Sequence, residues 1–144
     1  MLKGVDKIVS PLLLKALCEM GHGDKLVIAD ANFPSHSVGR NAVIVHMDGN
    51  SAQEVLSAVL KLIPLDTYVD QAVHLMEKVP GDNVDTPIWK EYEKIVAAED
   101  ERGAAAIGFY ERFEFYRKAS EAYLIIVTGE KALYANVMVQ KGVI

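Results

Sequence analysis

Of its 144 residues, one is cysteine, one is tryptophan and five are proline. A lone Cys18 cannot form an internal disulfide, so stability cannot depend on such a bridge. The thiol sits among apolar residues of a helix-like stretch, where free cysteine acts as a small hydrophobe, and it is expected in the core. No run of about 18 uninterrupted apolar residues occurs, which argues against a membrane-spanning helix and a membrane partner. The first twenty residues are broken by Asp6, Lys7, Lys15 and Glu19, with no small-residue cleavage site behind them. No secretory leader is expected, and the cytoplasm is the expected location. Basic residues number 15 against 20 acidic, for a net charge of -5. With no basic run and no arginine-aromatic stripe to follow a phosphate backbone, nucleic acid is not an expected partner. A glycine-rich phosphate loop is missing, so no nucleotide cofactor has a seat. The Gly-x-Ser-x-Gly elbow of a serine hydrolase is missing too.

What remains is an ordinary globular composition, 51% hydrophobic and 24% charged. A chain of this length buries about 68% of its unfolded surface, enough for one core, and residues 1–144 are read as a single domain without linker or repeat. Ser10 before Pro11 marks a helix start, closed by Gly21. "KLVIAD" (25–30) and "AVIVHM" (42–47) read as strands separated by a loop, "ANFPSHSVGRN". "SAQE" (51–54) is a capping box opening a helix to about Ile63, before Pro64. "AVHLMEKV" (72–79) is a third strand. Asp85 and Pro87 repeat the cap-plus-proline signal for a helix to about Glu101, with Ile88, Tyr92, Ile95 and Val96 at helical spacing and Gly103 beyond. "RFEFYRKASEA" is a short amphipathic helix, and "YLIIVTG" and "ANVMVQKG" are two final strands. Strands interleaved with helices, some with unbroken apolar runs, predict a three-layer α/β/α domain whose sheet is covered on both faces.

Two positions near the first strand invite a chemical reading. His22 lies between Gly21 and Gly23, either as an exposed histidine at a helix end or as an imidazole pushed into a cavity by a permissive backbone. Asp30 ends the strand, where open α/β sheets bind ligands, though an aspartate there also serves to start a loop. About 17 Å of extended chain separates the two, which points to a site shared between subunits unless the loops fold back. His22, Asp24, Asp30 and His36 are all possible zinc ligands, yet no His-x-His, Glu-x-x-His or His-Glu-x-x-His spacing occurs, and no metal is expected. His46 and His74 fall inside strands and are read as hydrogen-bonded structural histidines. Arg112, Tyr116, Glu130, Tyr134 and Asn136 form a second polar set near the C-terminus.

"MGHGD" (20–24), "DANFP" (30–34), "RFEFY" (112–116), "TGE" (128–130), "YAN" (134–136) and the ending "QKG" occur in an order and spacing that resemble the family containing fucose mutarotase and ribose pyranase. The resemblance covers nearly the whole chain. It implies an isomerase that interconverts sugar anomers, with His22 as catalytic proton donor and Tyr116 as a second polar group at the reacting end. Asp30, Arg112, Tyr134, Ala135 and Asn136 would hold the monosaccharide. "RFEFY" favours L-fucose over ribose, while Ala135 and Asn32, which replace a glycine and a histidine of some members, bear on sugar preference. It also implies a homo-oligomer, a decameric ring or a dimer, with the pocket closed by a neighbour. Ribose pyranase activity, or a non-catalytic sugar-binding accessory of a transport system, are the alternative readings.

Overall fold

Ser10 Oγ accepts the Leu13 N–H at 3.1 Å and Pro11 is the first helical residue, so α1 (Pro11–Glu19) starts where its cap signal stands. The same agreement holds at α3 (Ala52–Leu60), where Ser51 and Glu54 bond reciprocally in a complete capping box. These facts come from a computed structural model that describes residues 1–144. The remaining elements are β1 (Lys25–Ala29), α2 (Ser35–Val38), β2 (Val43–Met47), β3 (Val73–Met76), α4 (Pro87–Glu99), β4 (Ile107–Tyr110), α5 (Arg112–Ala119), β5 (Leu124–Thr128) and β6 (Val137–Gln140), with a 3₁₀ turn at Gly103–Ala106.

The six strands form one sheet in the order β2-β5-β1-β6-β3-β4. β1 pairs with β5 in parallel, Leu26 facing Leu124, and with β6 antiparallel, Val27 facing Met138. Side-chain alternation then divides each central strand between two cores. Leu26, Ile28, Leu124, Ile126, Val137 and Val139 join the larger one, beneath α1, α3 and α4. Val27, Ala29, Ile125 and Met138 join the smaller, with Phe115 and Ala119 of α5. The expected α/β/α layering is thus realised through the strand period. No helix is long and apolar enough to cross a membrane.

Several expectations need correction. Cys18 is exposed, not buried. The inward stripe of α1 consists of Leu13, Ala16 and Leu17, and one further residue turns the thiol about 100° away from that stripe. Asp85 does not cap α4, because Thr86 occupies the cap position, and it makes no side-chain cap bond. β4 and the short α2 were not expected. α2 is a single turn between Pro34 and Gly39 inside the expected loop, and β4 exists through its parallel pairing with β3. His46 is exposed and bonds His36, Nε2 to Nε2, at 3.0 Å. The His74 side chain has no hydrogen bond. It stacks on Tyr110 with centroids 4.0 Å apart, and burial pushes its imidazole down to about 4.

Candidate active site

β1 delivers Asp30 to the carboxyl edge of the sheet, and its neighbour β6 is entered through Asn136, so the two side chains meet. Asn136 Oδ1 accepts the Asp30 N–H at 2.8 Å while Asn136 Nδ2 donates to Asp30 Oδ2 at 2.9 Å. Asp30 Oδ1 also accepts the Asn32 N–H at 2.9 Å, so the loop-starting role of this aspartate coexists with its place in the site. Both side chains are buried. Burial raises the Asp30 carboxyl above its ordinary value, with the N–H groups of Asn32 and Phe33 and the Asn136 amide opposing. The "TGE" segment holds the loop from the other side. Thr128 Oγ1 donates to Ala29 O at 2.8 Å, and the Glu130 carbonyl accepts the Ala31 N–H at 2.8 Å.

Asp30 and Asn136 share a cleft of about 210 Å³ with Arg112, Tyr116 and Tyr134. Arg112 is the first residue of α5, and its guanidinium lies 5.8 Å from the Tyr116 ring without a carboxylate partner. A free fork of donors therefore faces a buried acceptor across the cleft, an arrangement suited to a neutral polyhydroxylated ligand. Phe33, Met76, Val79 and Leu133 supply apolar walls. Ala135 is fully buried behind this surface, and its carbonyl accepts the Tyr92 hydroxyl at 2.6 Å. It shapes the loop and presents no side chain to the cleft.

The chain belongs to the RbsD / FucU transport protein family. The model of that family matches residues 3–144. The fucose mutarotase of Mus musculus is 46% identical over 145 residues, covering 98% of this chain and 94% of its own. FucU of Bifidobacterium longum is 59% identical, with 99% of each chain covered and a TM-score of 0.97. The fucose mutarotase of Streptococcus pneumoniae, solved in complex with L-fucose, is 42% identical with 99% of each chain covered and a TM-score of 0.91.

Against this RbsD/FucU background, the position of His22 stands out. It lies at the other end of β1, away from the cleft that gathers the other polar residues. The two glycines flanking it differ: Gly23 has φ +83 and donates its N–H to Lys141 O at 2.9 Å, whereas Gly21 donates to Asp24 Oδ2 at 2.7 Å. The turn presents the imidazole on the surface, 44% exposed, rather than in a cavity of its own chain. Its Nε2 is 3.2 Å from Asp66 Oδ1 and its ring 5.2 Å from that of Tyr68.

Asp66 was not singled out in the sequence. It is nearly fully buried and accepts the Tyr68 N–H at 2.9 Å and the Gln140 amide at 2.8 Å. Burial acts to raise this carboxyl, but the bonds from Tyr68, Gln140 and His22 outweigh it and hold it below the usual range. Besides the local Tyr68, its side-chain partners are 44 and 74 residues distant, so only tertiary contact reveals its link to His22. The structure assembles no group of three or more histidine, cysteine, aspartate or glutamate side chains suited to a metal.

Proposed function

We infer that this protein is an L-fucose mutarotase, an isomerase that interconverts the α and β anomers. The observation that carries the reading is the cleft joining Asp30, Asn136, Arg112, Tyr116 and Tyr134 in a chain 42% identical, over nearly its whole length, to an enzyme solved with L-fucose. Mutarotation removes the proton of the anomeric hydroxyl and protonates the ring oxygen as the bond from C1 to that oxygen breaks. Rotation about C1–C2 and reclosure follow. No carbon nucleophile is needed. The reaction needs one group that can both give and take a proton, and an imidazole has a nitrogen for each.

His22 is that group. An ionised Asp66 accepts only, so His22 carries its proton on Nε2 and bonds the carboxylate through it. Nδ1 is then the nitrogen that exchanges protons with the sugar. Asp30, Asn136 and Arg112 hold the sugar hydroxyls, and Tyr116 stands beside the reacting centre.

Because His22 and the cleft occupy opposite ends of β1, a neighbouring subunit brings its own His22 to the cleft. Exposed apolar side chains support this arrangement at both ends: Tyr68 (76% exposed) beside His22, and Phe113 (71%) and Leu133 (53%) beside the cleft. A head-to-tail contact of unlike surfaces forms a ring where its rotation closes and a filament where it does not, and the decameric ring that the family resemblance implies is the assembly we propose. A dimer with two reciprocal sites meets the same requirement. Residues 1–144 act as one mutarotase domain, located in the cytoplasm.

The test is NMR saturation transfer between the α- and β-L-fucose anomeric signals. Wild-type protein is expected to move magnetisation between them, and His22→Ala to stop the transfer while sugar binding persists. Binding without transfer in the wild type would instead indicate an accessory of sugar transport, and pyranose-furanose exchange with ribose alone would indicate a pyranase.

A further inference from the structure

The Tyr134 hydroxyl is fully engaged by the protein itself. It donates to Asp82 Oδ2 at 2.6 Å and accepts the Val79 N–H at 3.2 Å. Asp82 is fixed in turn, its Oδ1 accepting the Val84 N–H at 3.1 Å. Lys78 donates to Val84 O at 2.8 Å and lies 5.6 Å from the centroid of the Trp89 ring. From α4, the Trp89 indole N–H bonds the Tyr134 carbonyl at 2.9 Å. Tyr134 is thus held at its phenol by the segment after β3 and at its backbone by α4. Its φ of +57 makes it the one non-glycine residue of the chain in the left-handed region. A tyrosine keeps that conformation only where its surroundings enforce it.

We propose that Asp82 is a positioning residue of the sugar site. By capturing the Tyr134 hydroxyl it withholds that group from the ligand and fixes the aromatic ring as a wall of the cleft. A phenol has one proton to donate, and here the carboxylate receives it. Hydroxyl recognition then falls to Asp30, Arg112, Asn136 and Tyr116, while the Tyr134 ring, continuous with Val79 and Leu133, offers a surface for the C–H face of a pyranose. Asp82 itself lines the cleft, but one of its carboxylate oxygens is taken by the Tyr134 hydroxyl and the other by the Val84 N–H, so it acts on the sugar through the tyrosine and takes no proton from it. The inference rests on the mutarotase reading above.

L-Fucose binding to the full chain, followed by ligand-observed NMR and by emission of the single tryptophan, tests it. Asp82→Ala and Tyr134→Phe each break the same bond, and each is expected to weaken binding about five- to tenfold. The double variant should be no weaker than the worse single one, since one shared interaction is lost only once. Asp82→Asn should restore most of the affinity, because an amide oxygen still accepts the phenol proton. Exchange at saturating sugar should change far less than affinity in all of these. Additive losses in the double variant would place the hydroxyl on the sugar, and an Asp82→Asn as damaging as Asp82→Ala would place the carboxylate charge there. Either result overturns the proposal while leaving the mutarotase reading intact. A wild-type chain that failed to bind L-fucose would overturn both.

Discussion

His22 and Asp66 form an imidazole–carboxylate pair at 3.2 Å, in which the histidine is half-exposed and the aspartate is buried. The carboxylate is anchored by two other donors, the Tyr68 N–H and the Gln140 amide, so it fixes which way the ring faces and which nitrogen is left free. Asp66→Asn keeps the shape and removes the charge. Saturation transfer should show exchange slowed about 10-fold, because an amide oxygen still accepts the imidazole N–H but without the charge that strengthens the bond. His22→Ala should lose about 10²- to 10⁴-fold. Exchange in Asp66→Asn equal to wild type would remove the carboxylate from the mechanism.

Two defective chains should repair each other. His22→Ala keeps its cleft and Asp30→Ala keeps its imidazole, so mixed assemblies contain some sites in which both halves are intact. Random mixing at equal amounts should restore about one quarter of wild-type exchange, the chance that an intact cleft meets an intact histidine. Mixtures as inactive as the two separate variants, despite demonstrated subunit exchange, would show that the site is not shared.

Gly142, the last residue of "QKG", packs on the backbone that carries Asp66. A Cβ placed there would lie 2.5 Å from Leu65 O and 2.8 Å from Asp66 Cα, and neither is the movable tip of a side chain. Gly142→Ala should therefore lower the unfolding midpoint by displacing the Leu65–Asp66 segment, at a cost of about 1–3 kcal/mol. Exchange should fall as well, since Asp66 moves with it. A variant as stable and active as wild type would show that this close approach is dispensable.

Stability should depend on pH through His74. Its folded-state value is pushed from 6.5 down to about 4, first by burial and then by the charges of Lys25 and Lys118. The folded state thus favours the neutral ring. This contribution is complete above pH 6.5 and is lost as pH falls through the window to about 4. Asp66, also depressed, adds its own loss at lower pH, below the usual 3.8. Thermal unfolding of wild type and His74→Phe between pH 7 and about 4 checks this. The wild-type midpoint should fall more steeply with acid, and parallel curves would refute the assignment.

Much of this architecture could be read from local signals. Ser10-Pro11 and "SAQE" fixed two helix starts because a cap is chemistry within three residues. Apolar runs such as "YLIIV" revealed buried strands. Cys18 misled because position around a helix, not apolar neighbours in sequence, decides burial. β4 escaped notice because its identity as a strand lies in its pairing with β3. In the site, Asp30 was legible at its strand end and Arg112, Tyr134 and Asn136 as a polar set, the family resemblance implied their sugar-binding role, and the structure adds their meeting in one cleft. Asp66 and Asp82 could not be found that way. Each is a single aspartate near turn residues, and each acquires its role from a partner more than forty residues distant.

The separation of His22 from the cleft along β1 has a consequence for how the enzyme behaves at low abundance. If the site is shared as proposed above, a solitary chain would own two complementary half-sites and complete neither, so turnover per molecule should collapse on dilution below the association threshold and recover when copies accumulate. Catalytic output would then rise more steeply than the amount of protein made, a dose response set by quaternary equilibrium and requiring no separate effector.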